Sequence, residues 1–278
     1  MKKPKLETIT LPDGVRFSGY KNELVFQSWR QGIYFEQARL ERWFLPRAGE
    51  IACVYDIGAN LGNHTVYFAS HAKNSTVYSF EPVPVTFDLL KRNVEQNGLS
   101  ERVKLFQCAL GAKESSAKMK VEGPGGLAFS SITRDVHSVW TQEVAVKRLD
   151  DMNLPPPDFV KIDVEGYELE VLKGMERTLR ESSPVLWIEI GGRLPNDQAK
   201  YEFLSSLSYI PVDSASYYNI LFEKRPENEK IPSFCAFIPK VQVNFCEAIQ
   251  HTRAAYESRS SWKITAPLRA IRGIFRRH

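Results

Sequence analysis

The sequence predicts an α/β fold built on one mostly parallel β-sheet with helices on both faces. Three observations carry this reading. Between residues 51 and 111, short apolar runs alternate with amphipathic ones in the order β-α-β-α-β. The alternation resumes at "FVKIDVEG" and continues through "YELEVLKGMERTLRE" to "PVLWIEI". Finally, "VYDIGANLGNHT" reads as a strand running into a glycine turn and then a helix, the local architecture of a nucleotide-type site.

Taken in order, residues 6–35 hold short alternating runs broken by Gly14, Gly19 and Gly32, which predict two or three small strands. Residues 1–35 are therefore expected to form an N-terminal β segment packed on a main domain over 36–240. "EQARLERWFLP" has helical spacing in Leu40, Trp43 and Phe44 and stops at Pro46. Then come the strand "IACVYDIG", the helix "NHTVYFASHA" and the strand "STVYSFEPVP". The helix "TFDLLKRNVEQNGL" is closed by Asn97-Gly98, and "RVKLFQCALG" is a strand. Residues 112–148 interrupt the pattern, with "ESSAKMKVEG" and "EVAVKRL" alternating like edge strands. After "PVLWIEI", "DQAKYEFLSSL" predicts a helix, and "YIPV", "NILFEK" and "FCAFIP" predict closing strands.

Composition is that of an ordinary soluble protein: 278 residues, 43% hydrophobic and 25% charged. No apolar run has the length of a transmembrane helix, and "MKKPKLETITL" has lysines but no apolar core of a signal peptide. The expected location is cytoplasmic. Cys53, Cys108, Cys235 and Cys246 lack metal-type spacing and read as reduced thiols. The net charge of +4 is concentrated after His251, where seven basic residues face one acid, Glu257. The body is mildly acidic and has no charge signature of a nucleic-acid binder.

The first βα turn keeps Gly58 and Gly62, but Asn60 stands where a dinucleotide binder carries its second glycine. Asp56 puts a negative charge at the strand tip, where it repels a pyrophosphate and attracts an ammonium or sulfonium. Glu81, at the tip of the second strand, can accept hydrogen bonds from ribose hydroxyls. A ribose, a positive group and no pyrophosphate describe S-adenosylmethionine, and describe NAD poorly.

These stretches resemble the class I S-adenosylmethionine-dependent methyltransferases and, within them, the FkbM family. The likeness covers most of residues 33–223. It rests on "VYDIGANLGNHT", "VYSFEPVP", the "FQCALG" strand end and above all "VKIDVEGYELEVLKGM". The resemblance implies a Rossmann-like, seven-stranded, mostly parallel sheet with one reversed strand. It also implies that Asp56, Gly58, Asn60 and Gly62 line the methionine part of the cofactor, that Glu81 meets the ribose, and that Cys108 and Ala109 flank the adenine. "GIYFEQARLE" resembles the family's lead-in, with Tyr34 and Glu36 closing over the methionine end.

In "KIDVEG", period-two alternation puts Lys161, Asp163 and Glu165 on one face. Three charges on one face of a central strand are unusual. A satisfied Lys161–Asp163 pair is the structural alternative. An alcohol acceptor must lose a proton during methyl transfer, so a buried carboxylate is a candidate base. Asp163, Glu165 and Glu189 are the catalytic candidates, with Asp163 and Glu165 expected at the base or substrate contact. Mg²⁺ held by these carboxylates is the less favoured alternative, because their sequence spacing is not that of a ligand set. His64 and His137 are secondary candidates. The "DVEG" stretch lacks the Asn/Asp-Pro-Pro-aromatic pattern of enzymes that methylate nucleobase amines.

From Pro267, Leu268, Ile271, Ile274 and Phe275 fall on one helical face and arginines populate the rest. This tail, within 241–278, suits an anionic membrane surface or a glycan-assembly enzyme; a helix packed on its own domain is the plainer alternative. "SWKITAPLR" resembles tails of bacterial surface-polysaccharide enzymes. The expected activity is therefore O-methylation of a sugar hydroxyl in a surface polysaccharide or its precursor. The alternatives are a polyketide or peptide acceptor, or a non-catalytic cofactor-binding module that docks assembly enzymes.

Overall fold

The computed structural model describes residues 5–21, 23–120, 131–132, 141–190, 194–214 and 219–226. It opens with an antiparallel pair, β1 (Leu6–Thr10) and β2 (Arg16–Tyr20), which stands apart from the main sheet. The strands expected over residues 6–35 stop there, because Leu24–Arg30 is a helix, α1. Val25, Phe26 and Trp29 fall on one helical stripe and are buried. The pair is held to the body by side-chain amides: the Ser18 N–H donates to Oδ1 of Asn93 at 2.6 Å, and Phe17 stacks on Trp29. The next helical run is short and irregular. It begins as α2 (Gln37–Arg39), widens into a π-turn over Leu40–Phe44 and tightens into a 3₁₀ turn over Leu45–Arg47. Pro46, without an N–H, forbids an ordinary continuation, and the widened turn buries Leu40, Trp43 and Phe44 together.

The βα alternation follows: β3 (Cys53–Ile57), α3 (Asn63–His71), β4 (Thr76–Phe80), α4 (Pro84–Glu95) and β5 (Val103–Phe106). The strand expected over "RVKLFQCALG" is in fact two. β5 ends at Phe106, and β6 (Ala109–Leu110) joins a second sheet with β7 (Ser115–Lys120), β8 (Ser131–Ile132) and β9 (Thr141–Lys147). The runs read as edge strands therefore pair with each other, Ala117 opposite Val144, and not with the main sheet.

The chain returns through β10 (Phe159–Ile162), α5 (Glu168–Gly174), α6 (Glu176–Ser182), β11 (Val185–Glu189), α7 (Leu194–Ser206), β12 (Tyr209–Ser214) and β13 (Asn219–Lys224). One helix was expected where α5 and α6 stand. The break has a tertiary cause. Buried Asp150 accepts hydrogen bonds from the Arg177 and Thr178 N–H groups, at 2.9 and 3.0 Å, and so caps a fresh helix. The "FCAFIP" strand and the tail helix lie outside the described residues.

The main sheet has the order β12-β13-β11-β10-β3-β4-β5. β13 is antiparallel to both of its neighbours and the other pairings are parallel, giving, among the described residues, seven strands with one reversed. The chain builds outward from β3 to β5, then crosses back to β10 and builds the other way. The crevice between β3 and β10 is thus the topological switch point, where open sheets of this kind bind ligands. Both faces of the sheet are buried. Val54, Phe159 and Trp187 pack with Phe44 and Phe68 on one side; Tyr55, Val160 and Leu186 pack with Leu172 on the other. Cys53 and Cys108 are buried free thiols. Among the described residues, no helix is long and apolar enough to cross a membrane.

Gly174 lies where α5 presses on the end of β6: a Cβ there would stand 2.1 Å from the Gly111 carbonyl oxygen. Gly174→Ala is expected to destabilise the protein by about 1–3 kcal/mol, since backbone must move to admit the methyl. Denaturant unfolding checks this; an unchanged midpoint would show the approach to be loose.

Candidate active site

A cavity of about 250 Å³ opens at the carboxyl ends of β3, β4, β10 and β11. One half is built by the turn after β3. Gly58 has φ 83°, and a Cβ on it would stand 1.8 Å from the Asp163 carbonyl oxygen. Only glycine lets the two switch-point strands approach this closely. The Gly58 and Ala59 N–H groups donate to the Phe80 carbonyl. Asn60 is also left-handed, at φ 50°, and its N–H donates to Oε2 of Glu81 at 3.0 Å. The other oxygen of Glu81 accepts from the Val83 N–H at 2.8 Å. Burial pushes this carboxyl up to about 7, against the two amide bonds that favour its ionised form. Cys108 and Ala109 line the same half, and burial raises the Cys108 thiol to about 11, so it is protonated at neutral pH.

Three candidates from the turn and its lead-in are placed elsewhere. Gly62 caps α3 at φ 88° and faces Leu90, where a Cβ would stand 2.7 Å from Cδ1; it is off the cavity wall. Tyr34 points away: its hydroxyl donates to Asp13 at 2.7 Å and its ring meets Tyr67 edge-on, while its neighbour Phe35 takes the wall position. Asp56 was expected to offer its charge to a ligand. Instead it is fully buried, accepts from the Thr65 hydroxyl at 2.6 Å and lies behind the cavity wall. Its register partner on β10 is Lys161, so its charge serves the interior of the sheet.

The other half of the cavity carries the charged groups. Lys161 is buried, and its ammonium lies 2.9 Å from Asp163 and 5.8 Å from the Trp187 ring centre. Burial alone would lower the Lys161 pKa, but Asp163 and Asp56 outweigh it and hold the pKa above the ordinary value. The expected strand alternation fails beyond Ile162, where β10 ends. Glu165 instead sits on a left-handed turn at φ 55°. Tertiary folding still gathers the three catalytic candidates: oxygens of Asp163, Glu165 and Glu189 all lie within 4.8 Å of one another. A ligand-like spacing absent from the sequence is thus present in space. Burial, then Asp163, push Glu189 up to about 9, so it is protonated at neutral pH and hydrogen-bonds to Asp163. Burial acts to raise Asp163 too, but Lys161 and the Glu189 hydrogen bond prevail and keep it ionised.

Glu36 and His64 close this half. Glu36 is left-handed at φ 59°, pairs with Arg39 and accepts from Nδ2 of Asn219 at 3.3 Å. His64 Nε2 lies 3.2 Å from the second Glu36 oxygen, off the line of a hydrogen bond. Burial, then Lys161, lower His64 to about 3, so the imidazole is neutral. His137 lies outside the described residues. Sequence reasoning missed Leu24, Phe35, Met119, Tyr167 and Asn219 on the wall. Met119 had a faint signal, the apolar positions of "SSAKMK"; the others became wall residues only through tertiary packing.

The Glu189 value has a consequence for stability. The folded chain holds this proton more tightly than the unfolded chain does, so stability falls as pH rises from 4.5 toward about 9. Glu189→Gln imitates the protonated acid and cannot titrate. The variant is expected to melt like wild type near pH 4.5 and above it near pH 9. Thermal melts across this range check it, and parallel curves would show that Glu189 is ionised in the fold.

Comparison with known proteins places the chain in a family. The family model described as the methyltransferase FkbM domain matches residues 56–231. The hexuronic acid methyltransferase AglP of Haloferax volcanii is 32% identical over 208 residues, which cover 70% of this chain and 82% of that protein. The 31-O-demethyl-FK506 methyltransferase FkbM of Streptomyces tacrolimicus is 26% identical over 203 residues, 62% of this chain and 76% of that one. Among solved structures, the methyltransferase FkbM from Methylobacillus flagellatus is 21% identical with a TM-score of 0.45; the match covers 62% of this chain and 42% of that chain. The chain belongs to the FkbM family of S-adenosylmethionine-dependent methyltransferases.

Proposed function

We propose that the protein is an O-methyltransferase whose acceptor is a sugar hydroxyl of a surface polysaccharide or its lipid-linked precursor. The observation that carries this reading is the convergence of Asp163, Glu165 and Glu189 at the switch point, opposite the Gly58–Asn60 turn. S-adenosylmethionine fits the residues present: a buried carboxyl at Glu81 for a ribose, an apolar wall at Cys108, Ala109 and Met119 for an adenine, and an acidic half for a sulfonium. When bound, the cofactor supplies an electrophilic methyl group.

The chain's own groups do the rest. Asp163, kept ionised by Lys161, accepts the acceptor O–H and aims its oxygen. Its low proton affinity suits orientation better than proton removal. Glu189 has the affinity a base needs, once it has shed its own proton. Glu165 lies beside both and completes the acceptor wall. Divalent-metal assistance is disfavoured in this reading because the Lys161 ammonium already meets the Asp163 charge. The relative named for hexuronic acid supports a sugar acceptor. The relative named for a demethyl-FK506 supports the second reading, a natural-product acceptor. In the first reading the basic tail, outside the described residues, brings the enzyme to glycan assembly at an anionic membrane surface.

The test begins with calorimetric titration of S-adenosylhomocysteine, with NAD as control and with and without Mg²⁺. Saturable, metal-independent binding of the homocysteine compound supports the cofactor assignment; binding of NAD alone would overturn it. Transfer of labelled methyl groups to isolated surface glycans, against a macrolide panel, then separates the two acceptor readings. Asp163→Asn is expected to lower kcat by about 10²-fold, the cost of a misaimed acceptor, while cofactor affinity changes by less than about threefold. An unchanged kcat would remove Asp163 from the reaction. Affinity for S-adenosylhomocysteine is expected to rise severalfold from below to above pH 7, as Glu81 ionises and becomes a stronger acceptor for ribose hydroxyls. A flat profile, or one equally steep in Glu81→Gln, would place the ribose elsewhere.

A further inference from the structure

The turn that carries Glu165 is tied down by charges that the reaction itself does not use. Gly166 follows Glu165 at φ 99°, and its N–H donates to Oε1 of Glu168 at 2.8 Å. Oε2 of Glu168 lies 2.6 Å from the ammonium of Lys200 on α7, and Lys200 lies 3.5 Å from Asp197, one turn earlier. All three side chains are buried, at 1%, 4% and 7% exposure. The left-handed conformation is free for Gly166 but strained for Glu165, and it persists there only where its surroundings hold it. Glu168 is the first residue of α5, just past this turn, and α7 follows closely on Glu189. The buried ions therefore join the two chain segments whose carboxylates converge at the cavity.

We propose that Lys200 is a positioning residue: through Glu168 it holds the Glu165–Gly166 turn so that Glu165 meets Asp163 and Glu189. Without the ammonium, the Glu168 carboxylate is a buried charge with its main partner gone and must swing toward water. Its hydrogen bond to Gly166 is charge-assisted, so the turn loses this anchor when the carboxylate leaves. Glu165 then withdraws from the cavity wall, although no group in contact with ligand has been altered.

The test uses the full-length protein with no added ligand, so it stands apart from the proposed function. In Lys200→Met, amide exchange at Gly166 is expected to rise by about tenfold or more, while Val171 and Leu172 inside α5 stay within about threefold of wild type. Carbon-detected titration of the glutamate side chains gives a second readout. Asp163 and Glu165 raise Glu189, Lys161 lowers it, and Arg39 also faces it. Only Glu165 is expected to move, so Glu189 should titrate at lower pH in the variant. Wild-type exchange at Gly166 with an unshifted Glu189 would overturn the proposal even if the melting temperature fell, because an ion pair that merely stabilises the fold moves only the latter. If Lys200→Met does not fold, Lys200→Met combined with Glu168→Gln removes both charges at once. Faster Gly166 exchange is expected there too, and wild-type protection would overturn the proposal.

Discussion

The buried ammonium of Lys161 is the interaction around which this structure is arranged. It sits in the middle of the main sheet, 1% exposed, in a register row that runs Trp187, Lys161, Asp56, Ser79. A lone cation there would be strongly unfavourable, so its neighbours must answer it. Asp56 answers from β3 and is steadied by the Thr65 hydroxyl, which also reaches Ser79 at 2.9 Å. Asp163 answers from the strand end, and the Trp187 ring lies alongside. One positive charge thereby fixes a carboxylate at the switch point and keeps that carboxylate ionised, and it adds to the burial that keeps His64 neutral. The chemistry at the cavity mouth is set by a charge lying beneath it.

The second constraint is backbone shape. Among the described residues, four on the cavity wall are left-handed: Glu36, Gly58, Asn60 and Glu165. Such conformations are strained for side chains other than glycine and tend to gather at functional sites. Each of the three non-glycine cases has a local reason. Asn60 hydrogen-bonds the next N–H through its own side chain, Glu36 is held by Arg39 and Asn219, and Glu165 is followed by the anchored Gly166. The strain turns amides and carboxylates toward one space that regular strands could not serve. The second sheet completes the enclosure, since β7 brings Met119 over the apolar half.

Much of this was legible in the chain. The glycine turn, the second-strand Glu81 and the "KIDVEG" charges could be read because strand and helix periods place residues on faces within a single element. The errors came where the periodic argument was carried across an element's end. The predicted face for Glu165 assumed a strand continuing past Ile162, and the single helix over "YELEVLKGMERTLRE" took no account of Asp150 arriving from a distant turn. Asp56 was read from its place at a strand tip, but its side chain is fully buried against Thr65, off the cavity wall, and its charge acts on Lys161 in the neighbouring strand.

The sequence by itself determined the α/β class, the alternation of strands and helices along the chain and the identity of the carboxyl groups available, because these depend on local periodicity and residue type. Only the tertiary structure decided which carboxylates meet, which one keeps a proton and which is spent on a buried lysine. The reason is physical. Proton affinity and contact are set by burial and by charges a few ångströms away, and those neighbours arrive from β3, β10, β11 and the α2 lead-in, far apart in the chain and joined only when the sheet assembles.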